Sequence, residues 1–387
     1  MKILIYLNKN ELNNSGGPLG YCNTLYQENA KNDNSEIFFL ERPIVKRSRL
    51  YKFLSKIPFL KSFKRYLFYK NLLNDNVSHL SSDDLNQFDI IHFHLTQDMY
   101  SIRDSLKDYR GKIVLTSHSP IPASLEAMVD IGPLEKAIFK KTYSRLIEMD
   151  KYSFKRSNIW LFPCEESEES YHDLLPSFED LKKDKKVYYL PTGIHQKYAS
   201  KTRTFIRQKY NIPDDAFVIS YVGRHNTVKG YDKLKEIGKM ALEKNPNLYI
   251  VVAGKEKPIR RLKNKRWIEI GWTNDPHSII AASDLFLLPN KHTYFDLVLL
   301  EVLSLGKVVL LSNTGGNKYF GKLNSSGIFL FNNNDEALNI VLQLSTVDKR
   351  NLDRMAEDNL LLFKKAFTAP MFYDNYLNFY KKIYEDL

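Results

Sequence analysis

The sequence predicts an α/β chain of two doubly wound, Rossmann-like domains facing a cleft. Three observations carry that expectation. At 387 residues the chain exceeds the length at which one hydrophobic core keeps growing, so two domains are expected. Short apolar runs alternate with helical or irregular segments, and the series occurs twice in succession. The runs are rich in Ile, Val, Leu, Phe and Tyr with little polar alternation, as in strands buried on both faces of a parallel sheet.

In order, the first series places strands at Lys2–Leu7, Ile37–Leu40, Asp89–Leu95, Lys112–Ser117, Ile159–Phe162 and Val187–Leu190. The second places them at Phe217–Val222, Leu248–Ala253, Trp267–Ile270, Asp284–Leu288, Lys307–Leu311 and Ile328–Phe331. Amphipathic stretches such as Tyr231–Lys244 supply the crossover helices. Pro191-Thr192-Gly193 marks a boundary, and the polar, basic Gln196–Thr204 leads onward. Residues 1–193 are thus expected to form one domain and residues 194–365 a second. In residues 366–387 an aromatic, amphipathic helix from Phe372 to Leu387 either returns to the first domain or caps its own. Ligand in such sheets sits outside the carboxyl ends of the strands.

Composition is globular, with 43% hydrophobic and 13% aromatic residues. The two cysteines, Cys22 and Cys164, are far apart, which argues against a disulfide framework or a cysteine-rich zinc site. Met1 to Leu7 reads as a first strand rather than a secretory leader, and no run of about 18 apolar residues occurs. The expectation is a soluble, cytoplasmic protein.

The net charge of +12 is concentrated. From Arg42 to Lys70 there are ten Lys or Arg residues, among them Lys46, Arg47, Arg49, Lys52, Lys61, Lys64 and Arg65, and no Asp or Glu. Tyr51, Phe53, Phe59, Phe63, Tyr66, Phe68 and Tyr69 are interleaved, and Pro58 divides the stretch into two short helices. Basic and aromatic residues together suit an anionic membrane surface on the inner face of the cell membrane. The alternatives are a surface helical pair whose aromatics pack inward and a nucleic-acid surface. No RNA-binding signature supports the last, so no nucleic-acid partner is expected.

Two glycine turns follow strands. After Phe217–Val222 comes Gly223-Arg224-His225-Asn226-Thr227-Val228-Lys229-Gly230. Glycine lets backbone approach a ligand, Arg224 offers a planar fork for phosphate oxygens, and Lys229 a mobile point charge. The loop reads as a diphosphate clamp or as a solvated connection. After the first strand comes Ser15-Gly16-Gly17-Pro18, which is neither a Walker loop nor a dinucleotide fingerprint. Paired glycines there either admit a ligand or merely turn the chain. His92 and His94 point to one side of their strand, towards the expected cleft, and His118 closes the next strand. A metal at the His92–His94 pair lacks further ligands. His118 stands at a carboxyl end, where cleft residues arise, with a capped structural histidine as the alternative.

These residues together resemble the family-four glycosyltransferases of the GT-B fold, over nearly the whole chain. The resemblance rests on Gly16-Gly17, His118, Arg224 with Lys229, and the segment Ala282–Gly316. That family has a Glu-x7-Glu element, commonly Glu-x-Phe-Gly-Leu-x-x-x-Glu, followed by a Gly-Gly turn. Here the element runs Thr293-Tyr294-Phe295-Asp296-Leu297-Val298-Leu299-Leu300-Glu301, with Gly315-Gly316 beyond. Thr293 stands in the first glutamate's place and Asp296 in the glycine's.

The resemblance implies a retaining transferase of the bacterial surface-polysaccharide or capsule type. It would use a UDP, thymidine diphosphate or GDP sugar and a glycan acceptor, lipid-linked if the basic-aromatic stretch meets a membrane. The first domain would bind the acceptor and the second the nucleotide sugar. Arg224 and Lys229 would hold the diphosphate without a metal or other cofactor. Glu301 would accept from the ribose hydroxyls, Leu297 and Val298 would offer backbone N–H groups to the phosphates, and Trp272 would lie at the base. Gly16 and Gly17 would close over the donor, and His118 would contact the transferred sugar. Thr293, Phe295 and Asp296 complete the donor set, and Thr293 and Asp296, which depart from the family's element, would reshape it for a less common sugar, such as a 6-deoxy sugar on a thymidine carrier. Three other readings stay open: an inactive partner of a transferase, an epimerase, and a glycogen-type synthase on the same fold.

Overall fold

The computed structural model describes residues 1–8, 17–32, 35–40, 58–74, 80–129, 131–256 and 258–385, with side chains omitted at 58–62. It divides into two compact units. The first comprises Met1–Pro163, Ser170–Leu190 and Tyr373–Leu387, and the second Cys164–Glu169 and Pro191–Phe372.

The first unit holds β1 (Ile3–Tyr6), β2 (Ile37–Phe39), β3 (Ile90–Phe93), β4 (Lys112–Leu115), β5 (Ile159–Phe162) and β6 (Lys186–Tyr189). They form one sheet in the order β2-β1-β3-β4-β5-β6, and every recorded pairing is parallel. The strands are short and almost wholly apolar because helices cover both faces. Strand order reverses between β1 and β3, where Tyr6 pairs with Phe93. The helix Ala369–Glu385 begins in the second unit and runs into the first, where Tyr376 and Tyr380 are fully buried.

The second unit holds β7 (Phe217–Val222), β8 (Leu248–Ala253), β9 (Trp267–Gly271), β10 (Leu285–Leu288), β11 (Val308–Ser312) and β12 (Ile328–Phe331). Their order is β12-β11-β10-β7-β8-β9, again with parallel pairings. This is the doubly wound order whose reversal, between β7 and β10, opens a crevice at the strands' carboxyl ends. The amphipathic helix Tyr231–Lys244 lays Leu234, Ile237, Ala241 and Leu242 on the sheet beside Ile219, Ile250 and Trp267.

Arg207 sets the amino ends of the two central strands. Its guanidinium is 1% exposed and donates to Asp284 Oδ2 at 2.8 Å and to the carbonyls of Pro213, Asp214 and Ala216. Asp284 Oδ2 also accepts from Val218 N at 2.9 Å, so one ion pair fixes the entry of β7 against that of β10. Among the described residues no helix is long and apolar enough to cross a membrane.

Candidate functional site

At the carboxyl ends of β7 and β10 the chain makes two loops, 223–230 and 289–296, and these touch. Gly230 adopts a φ of 63°, and a Cβ there would lie 1.7 Å from the Pro289 carbonyl oxygen, so only glycine allows the approach. Lys291 N donates to Val228 O at 3.0 Å. On its other side the 289–296 loop is held by β11 and the turn beyond it. Ser312 Oγ donates to Asn290 O at 2.6 Å, and Gly316 N to Thr293 O at 3.2 Å. A Cβ on Gly316 would meet Tyr294 O at 1.9 Å. The Gly-Gly turn is therefore a packing surface for the loop.

The contact brings Lys229 to Asp296. Lys229 Nζ and Asp296 Oδ1 form an ion pair, with side chains 19% and 15% exposed. The second carboxylate oxygen accepts from Asn290 Nδ2, while Asn290 Oδ1 is buried without a hydrogen-bond partner. Asp296 is also the N-cap residue of the helix Leu297–Ser304, yet its side chain makes no capping hydrogen bond. An N-cap aspartate ordinarily accepts from the first turn's N–H groups; here the carboxylate is turned to the lysine instead.

Arg224 is exposed at the start of its loop, where the Tyr221 hydroxyl donates to its carbonyl at 3.0 Å. Lys229 N donates to Asn226 Oδ1 at 2.9 Å, which shapes the turn that presents the lysine. Glu301, one turn into the following helix, lies with its Oε2 3.2 Å from His277 Nε2, outside hydrogen-bond geometry. Trp272 follows Gly271, whose φ is 76°, and is 78% exposed. Thr293 is 1% exposed with its hydroxyl unpartnered. Phe295 differs from a ligand-facing role: it is buried against Phe320, 4.9 Å between ring centroids, and beside Phe367, so its side chain anchors the loop.

The sequence reading missed the groups behind these loops. His225 is fully buried and stacked on Tyr231 at 3.8 Å, with burial pushing it down to about 4. Glu269, raised by burial, accepts from the Tyr231 hydroxyl and from Trp267 Nε1, each at 3.1 Å. The segment Cys164–Glu169 also reaches the glycine turn. Glu169 Oε1 accepts from Gly315 N and Thr314 Oγ1 at 3.1 Å each, and its other oxygen pairs with Lys318. No local pattern marked any of these.

In the first unit, Gly17 opens the helix Gly17–Asn32 with a φ of 52°, while Gly16 lies outside the described residues. His118 follows β4 with a φ of 57°, a conformation uncommon for a residue other than glycine. Such strain gathers at functional positions. Its Nε2 is 2.8 Å from His94 Nδ1, Tyr21 meets it edge-on, and burial pushes it down to about 3. His92 and His94 are both fully buried and stacked at 4.2 Å, with the Tyr376 and Tyr380 hydroxyls 2.5 and 2.7 Å from His92 Nδ1. These two rings are interior rather than ligand-lining. Among the described residues no group of three His, Cys, Asp or Glu is placed to hold a metal.

Of the basic stretch, Lys46, Arg47, Arg49, Lys52 and the side chain of Lys61 lie outside the described residues. Lys64 is exposed, and Arg65 is occupied in a 3.2 Å ion pair with Glu135. That pair and the stacked Tyr66 and Phe139 rings set the helix Pro58–Asn74 beside Pro133–Ile138.

Residues 202–359 match the protein family described as glycosyl transferases group 1. The O-antigen biosynthesis glycosyltransferase WclY of Escherichia coli is 24% identical over 59% of this chain and 65% of its own length. The UDP-Gal:alpha-D-GlcNAc-diphosphoundecaprenol alpha-1,3-galactosyltransferase of Escherichia coli is 27% identical over 45% of this chain and 48% of its own. The matches thus span about half to two thirds of these relatives. The structure of Anabaena HepE in complex with UDP and glucose superposes with a TM-score of 0.63 at 15% identity, covering 99% of this chain and 100% of that one. Residues 202–359 thus carry a glycosyl transferases group 1 match, within a chain of GT-B fold built from two parallel-sheet α/β units.

Proposed function

We propose that the chain is a retaining glycosyltransferase that moves a sugar from a nucleotide diphosphate to a lipid-linked glycan in cell-surface polysaccharide synthesis. The observation that carries this reading is the meeting of Lys229 with the start of helix Leu297–Ser304 at the β7–β10 reversal. A cation and a helix N-terminus converge there without a side-chain cap, and both favour an anion. The relatives' names speak of O-antigen and of a UDP-galactose donor, and HepE was solved with UDP.

In this reading Arg224 and Lys229 bind the diphosphate and meet the charge that grows on it as the bond to the sugar's anomeric carbon breaks. The acceptor hydroxyl attacks from the same face, and its proton passes to the departing phosphate oxygen. No metal is required where two side-chain cations supply that stabilisation. Leu297 and Val298 present N–H groups to the phosphates, Glu301 accepts from the ribose hydroxyls, and Trp272 stacks on the base. Thr293 and Asp296 shape the sugar pocket. Gly16, Gly17 and His118 keep the role the resemblance implies, contact with the donor and its sugar. The lipid-linked acceptor agrees with exposed apolar and basic residues on the first unit, at an anionic membrane surface on the cytoplasmic side.

Calorimetric titration with UDP, GDP and thymidine diphosphate carriers, wild type beside Lys229→Ala, tests the donor site. Saturable binding of one carrier, weakened at least tenfold by the substitution, is the expected result. A folded protein that binds none would leave the inactive-partner reading, which Thr293 in the glutamate's place favours.

A further inference from the structure

We infer that Asp296 is a built-in competitor for the donor's diphosphate: it holds Lys229 and must yield it when the donor binds. The inference rests on the donor-site reading above. It begins from a local anomaly, since Asp296 occupies the N-cap of Leu297–Ser304 and declines to cap it. Its oxygens go to Lys229 and to Asn290 Nδ2. The lysine is thereby kept partly sheltered at the site rather than extended into solvent, as a long side chain is otherwise free to do.

A carboxylate and a diphosphate cannot both be served by one ammonium group without repulsion between the two anions. When phosphate oxygens arrive at the uncapped helix start, Lys229 exchanges Asp296 for them, and Asp296 is left with the Asn290 amide alone. Asn290 Oδ1, fully buried and without a partner, sits in the same group of side chains, so this polar cluster is incompletely satisfied. The freed carboxylate is an acceptor with no cation, suited to the hydroxyls of a donor sugar. Asp296 therefore sets two properties at once: it weakens capture of the bare nucleotide, and it favours a donor that brings hydroxyl groups.

The test is titration of UDP, GDP and thymidine diphosphate, each without sugar, into wild type, Asp296→Asn and Lys229→Ala. Asparagine keeps an oxygen for Asn290 and loses the charge. Asp296→Asn is expected to bind the carrier about three- to tenfold more tightly than wild type, the size of a partly sheltered ion pair. Equal or weaker binding by Asp296→Asn, where wild type binds and Lys229→Ala does not, overturns the inference and leaves the donor site standing. Binding by Asp296→Asn where wild type shows none supports both. Absence of binding in both proteins, each melting as a folded chain, removes the donor site and the inference with it. Should Asp296→Asn fail to fold, Asp296→Ser provides the same comparison.

Discussion

His92 and Tyr376, 284 residues apart in sequence, are joined by a hydrogen bond of 2.5 Å in the buried interior of the first unit. The surrounding bonds fix the ring's protonation. Thr116 Oγ1 donates to Leu161 O, so it accepts from His92 Nε2, which must carry the proton. Tyr380 donates to Tyr376, which in turn donates to the bare Nδ1. The ring is neutral, in keeping with burial holding His92 well below the usual histidine range. Tyr376→Phe removes the central hydroxyl and is expected to destabilise the first unit by about 1–2 kcal/mol. Urea unfolding followed through Trp160, buried in that unit, measures it.

The same burial makes stability depend on acid. His92 and His94 are fully buried and depressed, and His118 is pushed down to about 3, so each binds its proton more readily when unfolded. Their contribution is fully present above pH ~6.5 and is lost as pH falls below it, by up to about 1.4 kcal/mol per pH unit for each ring. In the second unit His225, at about 4, acts in the same direction, but Glu269, raised by burial, gains stability as pH falls and opposes it. Urea midpoints between pH 7.5 and 5 are therefore expected to drop more steeply for the first unit. Equal slopes at Trp160 and Trp267 would contradict this.

Arg207 offers a purely structural control. Replacing it with alanine leaves Asp284 buried with Arg203 as its remaining guanidinium, 2.8 Å away, and strips donors from four carbonyls. Breaking a buried pair from one side typically costs about 3–5 kcal/mol, and the surviving Arg203 places the expected loss near the lower end. Calorimetric melting reads it.

Much of the architecture was legible because strands buried on both faces leave long apolar runs, and all twelve runs in the sequence correspond to strands in the structure. Strand order was not legible. The neighbourhood of β7 and β10 alone brings Lys229 to Asp296 across 67 residues, and no local pattern encodes it. His277 beside Glu301 was hidden for a similar reason, since the two stand on successive helices, whereas Asn290 and Asp296 share one irregular loop whose path no residue pattern encodes. Phe295 was misread because an aromatic in a motif says nothing about whether its ring faces ligand or core. His92 and His94 were seen as a pair, yet their covering came from Tyr376 and Tyr380 at the far end of the chain.

The loop contact at the reversal predicts a glycine effect out of proportion to one methyl group. At Gly230 a Cβ would meet the Pro289 carbonyl, and the positive φ adds strain of its own. Gly230→Ala must displace 289–296 and with it Asp296 and the helix start. About 1–3 kcal/mol of stability and at least tenfold in nucleotide affinity are expected to be lost together. Thermal melting and carrier titration on the same sample measure both. Unchanged affinity would show that the two loops act independently.

The surface of the first unit supplies the last prediction. Along Pro58–Asn74 the residues Tyr66, Tyr69, Leu72 and Leu73 face Phe139, Tyr143 and Leu146, which leaves Phe63, Leu67 and Phe68 exposed. On the neighbouring Pro133–Ile138, Leu134 and Ile138 are 72% and 56% exposed, while Glu135 turns inward to Arg65 and Tyr143. Exposed Lys64, Lys70, Lys136, Lys140 and Lys141 lie on these two helices and at the start of Lys140–Arg156, and Glu135 is paired with Arg65. Exposed apolar side chains and lysines on the same helices suit an anionic bilayer, to which each cation would contribute about 1 kcal/mol and each inserted side chain would add burial. Replacing Phe68, Leu134 and Ile138 with serine is expected to reduce flotation with phosphatidylglycerol vesicles at least tenfold while leaving nucleotide binding unchanged. Neutral vesicles are expected to retain little of either protein. Equal flotation of wild type and variant would overturn a membrane-facing role for these side chains.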